Sequence, residues 1–306
     1  MVPRIGITAG DPAGIGPEIA RKAMADSRVL DVCEPLLYGS ERSFAPGVLS
    51  ADAGHAAYET IVRAVRDAQA GGIHGIATAP VNKEALALAG LPWRGHTEML
   101  AALTNAPRVA MMFWSEKLRV VLATIHIPIA SVPAALTIEL VSSIIDLTNR
   151  ELPRFGIARP RLALAGLNPH AGEHGVLGRE ETDVLEPAIA RSVKAGVDIS
   201  GPFPGDTIFL RAMRGEFDLV IACYHDQGLI PVKMAAFGEA VNVTLGLPII
   251  RTSVDHGTAF DIAGKNIADP ESMVQAVLLA AKLASAGNGR SPLNTSYGSA
   301  GLPPPH

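Results

Sequence analysis

Short apolar runs of β type alternate along this chain with longer amphipathic stretches, and the alternation predicts most of its elements. Strands are expected at residues 4–9, 35–38, 75–79, 109–114, 118–125, 161–167, 218–223 and 240–244, where apolar and β-branched side chains cluster between turn residues. Helices are expected at 17–25, 53–70, 138–152, 180–195 and 270–284; in the third, Ile138, Val141, Ile144, Ile145, Thr148 and Leu152 recur near helical spacing. Strands alternating with helices imply an α/β fold with helices on both faces of a sheet. Residues 39–53 read as a short loop. Residues 287–306, rich in Gly, Ser, Pro and Asn, read as a disordered tail.

Three of the apolar runs end in a histidine: LRVVLATIH at His126, RLALAGLNPH at His170 and FDLVIACYH at His225. Strand ends are where α/β proteins build their sites, so three imidazoles delivered there make a divalent metal the first ligand to consider. One such histidine is more often hydrogen-bonded scaffold; three alike shift the balance. Neutral imidazoles suit zinc and other first-row metals, and three protein ligands leave positions open for substrate. Asp226, beside His225, and Asp206 in GPFPGDTIF are carboxylates that could ligate, orient or accept a proton, or else serve as a helix cap and a turn residue. His174 sits in a glycine-flanked loop, and His55, His74 and His306 read as surface residues.

A chain of 306 residues exceeds what one core usually serves, so two lobes are expected. With 48% hydrophobic and 18% charged residues, the chain has ample material to bury. A net charge of −4 and a pI of about 6.1 give no electrostatic reason for nucleic acid or an anionic membrane as partner. The opening MVPRIGITAG lacks the parts of a signal peptide, and the greasiest stretch, 118–136, carries Arg119, His126, Pro128 and Pro133, which argues against a spanning helix. Cys33 and Cys223 offer no disulfide framework, and a reducing cytoplasm fits best.

Three further segments carry candidate chemistry. In ITAGDPAGIGPEIA, Gly10, Gly14 and Gly16 suggest a dinucleotide turn, but the Gly-x-Gly-x-x-Gly spacing fails at Ile19, and a tight strand-to-helix turn with Pro17 in the first helical turn explains them equally. Lys83, His96 and Thr97 read either as a cation, an imidazole and a hydroxyl for an anionic group or as ordinary cap residues. Arg251 is a bidentate partner for carboxylate or phosphate, with Lys233 as a second cation; the alternative for both is surface ion pairing.

Together GDPAGIGPE, PVNKEAL, GHTE, IHIP, NPHAGEHGVLGREE, GPFPGDTIF, YHDQGLIPVK, VNVTLGLP and IRTSVDHGTAFDIAGK resemble the 4-hydroxythreonine-4-phosphate dehydrogenases of pyridoxal phosphate biosynthesis, from about residue 5 to 285. GIGPE and HGTAFDIAGKNIADP are also similar to the isocitrate and isopropylmalate dehydrogenases, whose adenosine loop the second fragment resembles. The resemblance implies a two-lobed α/β/α fold of the isocitrate/isopropylmalate dehydrogenase type. Residues 1–95 and 242–286 would form a discontinuous nucleotide-binding lobe, and 96–241 a central lobe with the metal ligands and a dimer interface. It implies His126, His170 and His225 as metal ligands in a site completed across a homodimer, with zinc first and magnesium or cobalt as alternatives. It implies His96, Thr97, Lys233, Asn242 and Arg251 as substrate contacts, and NAD held by the loop 253–266 through Asp255, His256, Gly257, Asp261 and Asn266.

The implied reaction is oxidation of the substrate's C3 hydroxyl by NAD, followed by loss of CO₂ to give 3-amino-2-oxopropyl phosphate. A divalent metal suits it, since it lowers the hydroxyl's pKa and polarises the new ketone. Two departures from better-known members stand out: residues 39–57 are shortened, and Gly205 replaces a usual alanine. The same parts would serve D-threonate or D-erythronate 4-phosphate. A metal-dependent phosphatase using the three histidines and Asp226 is an alternative of another class; the nucleotide-type loop speaks against it.

Overall fold

The computed structural model describes residues 2–93, 95–236 and 238–287. The first part of the chain runs β1 (Arg4–Thr8), α1 (Gly16–Met24), α2 (Ser27–Leu30), β2 (Glu34–Tyr38), α3 (Ala51–Gln69), β3 (Gly75–Thr78), α4 (Lys83–Leu88) and α5 (His96–Leu103). Next come β4 (Ala110–Trp114), β5 (Val120–Leu122), α6 (Val132–Ala135), α7 (Ile138–Glu151) and β6 (Leu162–Ala165). A π-helical turn, Glu181–Leu185, leads into α8 (Glu186–Lys194), then β7 (Ile199–Phe203), α9 (Gly205–Met213), β8 (Leu219–Ala222), α10 (His225–Ala235), β9 (Val241–Leu245), β10 (Arg251–Ser253) and α11 (Glu271–Gly287). Of the expected tail, Gly287 ends α11 and residues 288–306 lie outside the described residues.

Every predicted strand and helix is present with shifted ends, and two differences are the largest. The strand expected at 118–125 contracts to β5 because Leu118 is tied into a turn, its N–H donating to Ser115 Oγ at 3.0 Å. The helix expected at 180–195 divides into the π turn and α8. Helix starts follow local chemistry: Asn82 accepts from the N–H groups of Glu84 and Ala85, Ser50 from Ala53, and Thr137 from Leu140.

All ten strands form one sheet in the order β2-β1-β3-β10-β9-β4-β5-β8-β6-β7. Strands β1, β2, β3 and β10 run parallel, and so do β5, β8, β6 and β7; the pairs β10–β9, β9–β4 and β4–β5 are antiparallel. The two parallel halves therefore point their carboxyl ends to opposite edges of one sheet.

Alternation along the strands then divides the core. One face, carrying Ile5, Ile7, Ala77, Val243, Met112, Val121, Ile221 and Leu164, is covered without a break by α1, α7, α8 and α11 in one large cluster. The opposite face is split. Over one half, α3, α4 and α5 pack on Ile76; over the other, α9 and α10 pack on Phe113, Val120, Val220 and Ala163. Between them β9 and β10 contribute no apolar residue to either cluster from this face, and the gap is lined with polar side chains. No single helix among the described residues is long and apolar enough to cross a membrane.

Candidate active site

The register across β1, β3, β10 and β9 aligns Thr8 with Thr78, Thr78 with Ser253, and Ser253 with Asn242 on the face that carries the gap. Arg251, two residues before Ser253, shares that face and is 2% exposed. Its guanidinium donates to Thr78 Oγ1 from Nη2 at 2.8 Å and from Nε at 3.2 Å, and from Nη1 to Thr244 Oγ1 at 2.9 Å. No carboxylate pairs with it among the described residues. Burial lowers its pKa from the ordinary guanidinium range to about 9, with Glu98 the carboxylate that opposes the shift.

His96, at the start of α5, lies within reach of the Arg251 charge, and Thr97 beside it is buried. Burial, then the Arg251 charge, pushes the His96 ring well below its ordinary pKa, so it is neutral. Three buried polar atoms here have no partner: Thr8 Oγ1, His96 Nε2 and Asn242 Oδ1. Native interiors rarely leave such atoms orphaned, and an unneutralised buried cation among them marks a pocket for an anion with hydrogen-bonding oxygens. Thr8, Thr78, Thr244 and Glu98 belong to this site and sequence reasoning did not single them out. The only available signal was hydroxyls placed within otherwise apolar strands.

His126, His225 and His170 follow β5, β8 and β6, which are neighbours in the sheet and end at one edge. The rings of His126 and His225 lie 5.7 Å apart between centroids. Burial first, then Lys83 and His225, lowers the pKa of His126, while Glu98 opposes. This ties the histidine pair to the anion pocket, since Glu98 acts on both. Asp226 Oδ1 lies 2.7 Å from His225 Nδ1, a carboxylate–histidine pair that leaves Nε2 free. Two imidazoles with a second-sphere carboxylate suit a divalent metal, but His170 does not join them: among the described residues no group of three His, Cys, Asp or Glu converges. A single chain supplies an incomplete donor set.

His170 instead opens a left-handed turn. His170, Ala171, Gly172, Glu173 and His174 all have φ between 44 and 77°, a conformation costing on the order of 1–2 kcal/mol for each non-glycine residue. The exposed His170 lines a groove of about 930 Å³ together with Asp206, Asp226, Leu210, Met213, Ile230 and Met234. Its apolar wall is unusually open to solvent, Ile230 being 59% and Met234 83% exposed. Asp206, in the first turn of α9, points into this groove rather than toward the histidine pair.

The expected cofactor residues lie on the loop after β10. Asp255 Oδ1 accepts from Ser272 Oγ at 3.0 Å, its carbonyl takes a 3.5 Å bond from Lys233 Nζ, and His256 Nδ1 lies 3.0 Å from the Gly257 carbonyl. Farther on, Asn266 and Gly264 line a 440 Å³ cavity with Gly10, Gly14 and Phe44. Gly14 is required there, because a Cβ would stand 2.9 Å from the Thr258 carbonyl oxygen. The β1–α1 turn and this loop thus form one cradle, which suits an adenosine moiety; Asp261 is exposed beside it.

Fold and site define an α/β protein with a buried guanidinium in the cleft between two halves of a mixed sheet, beside paired imidazoles. The family described as pyridoxal phosphate biosynthetic protein PdxA matches residues 12–280, and the chain belongs to that family. It is 45% identical to the 4-hydroxythreonine-4-phosphate dehydrogenase of Desulforapulum autotrophicum, over 91% of this chain and 95% of that protein. It is 44% identical to the D-threonate 4-phosphate dehydrogenase of Cupriavidus necator, over 93% and 98%. The crystal structure of 4-hydroxythreonine-4-phosphate dehydrogenase from Klebsiella pneumoniae superposes with a TM-score of 0.84 at 40% identity, covering 93% of this chain and 98% of that one. Isocitrate dehydrogenase from Methylococcus capsulatus, at 17% identity and TM-score 0.54 over 89% and 83%, shares the two-lobed α/β/α fold.

Proposed function

We propose that this chain oxidises the C3 hydroxyl of 4-(phosphooxy)-L-threonine with NAD, giving 2-amino-3-oxo-4-(phosphooxy)butanoate, which decarboxylates to 3-amino-2-oxopropyl phosphate. The observation that carries the reading is Arg251, a buried guanidinium whose direct partners are hydroxyls, with no carboxylate in ion-pair contact among the described residues. The substrate phosphate supplies the counter-charge. His96 Nε2 donates to it, Asn242 Oδ1 accepts from a substrate hydroxyl, and Thr97 and Lys233 complete the substrate contacts. Holding the phosphate fixes the C3 carbon relative to the histidine pair, which is how a remote group contributes to rate.

His126 and His225 are two ligands of a divalent metal, zinc in the first instance, and His170 of a second copy is the third. A metal held there would supply Lewis acidity, lowering the pKa of a bound hydroxyl and polarising a carbonyl. Asp226 orients the His225 ring. A homodimer that covers the apolar groove brings the partner's His170 to the pair. Residues 1–95 with 242–286 form the nucleotide lobe, residues 96–241 the central lobe, and Asp255, His256, Gly257, Asp261 and Asn266 hold NAD in a cytoplasmic enzyme.

A second reading, favoured by the 44% identity to a D-threonate 4-phosphate dehydrogenase, is the same oxidation on D-threonate or D-erythronate 4-phosphate, in which a hydroxyl replaces the C2 amine. The test is incubation of zinc-loaded protein with each substrate and NAD, following NADH absorbance and free phosphate. NADH with the amino-acid phosphate is expected; NADH with the sugar-acid phosphates alone selects the second reading. Phosphate release without NADH overturns both.

A further inference from the structure

The left-handed turn at His170 is held by a buried carboxylate and a half-buried amide that no step above uses. Asn168 donates its backbone N–H to Glu181 Oε1 at 2.7 Å, and its Nδ2 to Glu181 Oε2 at 2.8 Å and Glu180 Oε2 at 2.7 Å. Glu181 is 1% exposed and begins the π-helical turn, a departure from α geometry often found where a helix serves a site. Its carboxylate presses on the middle of the turn, where a Cβ on Gly172 would stand 2.6 Å from Oε2. The Asn168 amide is packed equally tightly from the other side, a Cβ on Gly178 falling 2.3 Å from Nδ2. Four non-glycine residues persist in left-handed conformation only where their surroundings impose it.

We propose that Glu181 and Asn168 are positioning residues for the metal site: they impose the left-handed turn and thereby aim His170 away from its own chain's histidine pair, toward a second copy. This rests on the shared metal site proposed above. The turn explains why three histidines on neighbouring strands fail to meet in one chain: β6 delivers His170 to the correct edge, and the reversed backbone then directs it into the groove with Asp206 and Asp226.

The experiment measures zinc affinity of the full-length protein by chelator competition, alongside inorganic phosphate binding at Arg251. Glu181→Ala and Asn168→Ala are expected to weaken zinc by 10- to 100-fold, the usual effect of removing an outer-sphere partner, and to leave phosphate affinity unchanged. The milder Glu181→Gln, which retains one acceptor, is expected to fall between them and the unaltered protein. Adding Ala171→Gly to Glu181→Ala frees one position from left-handed strain and is expected to restore zinc affinity in part, which a general loss of stability would not do. Unchanged zinc affinity in Glu181→Gln and Asn168→Ala, or no rescue by glycine, overturns the positioning role. His170→Ala is the control: if it alone keeps full zinc affinity, the shared-site reading itself is wrong.

Discussion

Replacing Arg251 by Met removes a buried charge that no carboxylate contacts directly among the described residues. The lowering to about 9 leaves the guanidinium protonated at neutral pH and corresponds to about 5 kcal/mol of unfavourable burial. Against that stands the loss of three hydrogen bonds to Thr78 and Thr244, at about 1 kcal/mol each. Ligand-free Arg251→Met is therefore expected to be about 2 kcal/mol more stable than the unaltered protein. The pH dependence has a definite sign. The folded pKa lies below the unfolded one, so the unfavourable burial is fully present below about 9 and disappears as pH rises from there toward the ordinary guanidinium value. The difference between the two proteins should thus be flat across neutral pH. Urea unfolding measures it directly. Inorganic phosphate at ten times its Kd should add about 1.4 kcal/mol to the unaltered protein and nothing to the variant. A ligand-free variant less stable than its parent, or one that phosphate still stabilises, refutes the reasoning.

The His96 ring is neutral in the folded protein and takes up a proton on unfolding below its ordinary pKa of 6.5; stability should therefore fall as pH drops below that value, by up to about 1.4 kcal/mol per pH unit. His96→Gln should remove this share of the slope in urea midpoints taken from roughly pH 5 to 7. Asp226→Asn weakens the hold on His225 Nδ1 and is expected to reduce zinc affinity about 10- to 100-fold with unchanged far-UV circular dichroism. Gly54→Ala drives a Cβ to 2.2 Å from the Ala85 carbonyl oxygen, where α3 meets α4; thermal melts should show a loss of about 1–3 kcal/mol.

Most strands legible in the sequence were those whose two faces are both apolar, such as Ala110–Trp114 and Leu219–Ala222, buried at every position; the edge strand β2, half-exposed throughout, was legible from its short apolar run alone. The two that escaped notice break that rule for identifiable reasons. Strand β10 is three residues long and begins on Arg251, and β7 is an edge strand interrupted by Gly201 and Pro202, tolerated there because an edge need not offer every N–H. Helix α10 was hidden because it starts directly after β8 on His225 and contains Pro231, so neither a cap nor an uninterrupted apolar stripe announces it.

For the site, the residue types were legible and their arrangement was not. Arg251 and three histidines could be picked out because a guanidinium or imidazole at a strand end is conspicuous. Whether they share a pocket depends on strand order and on face parity, which local pattern does not encode. Three antiparallel pairs in the middle of the sheet send the histidine strands to the opposite edge from β1, β3 and β10. A one-residue slip of β10 against β3 would turn Arg251 into the covered face, against Ala77 and Val243. The chain prevents that slip by making Thr252, between Arg251 and Ser253, fit the covered side, where its hydroxyl donates to the Ala276 carbonyl of α11 at 2.8 Å. The anion pocket therefore depends on a threonine that never faces it, and on a helix packed against the other side of the sheet.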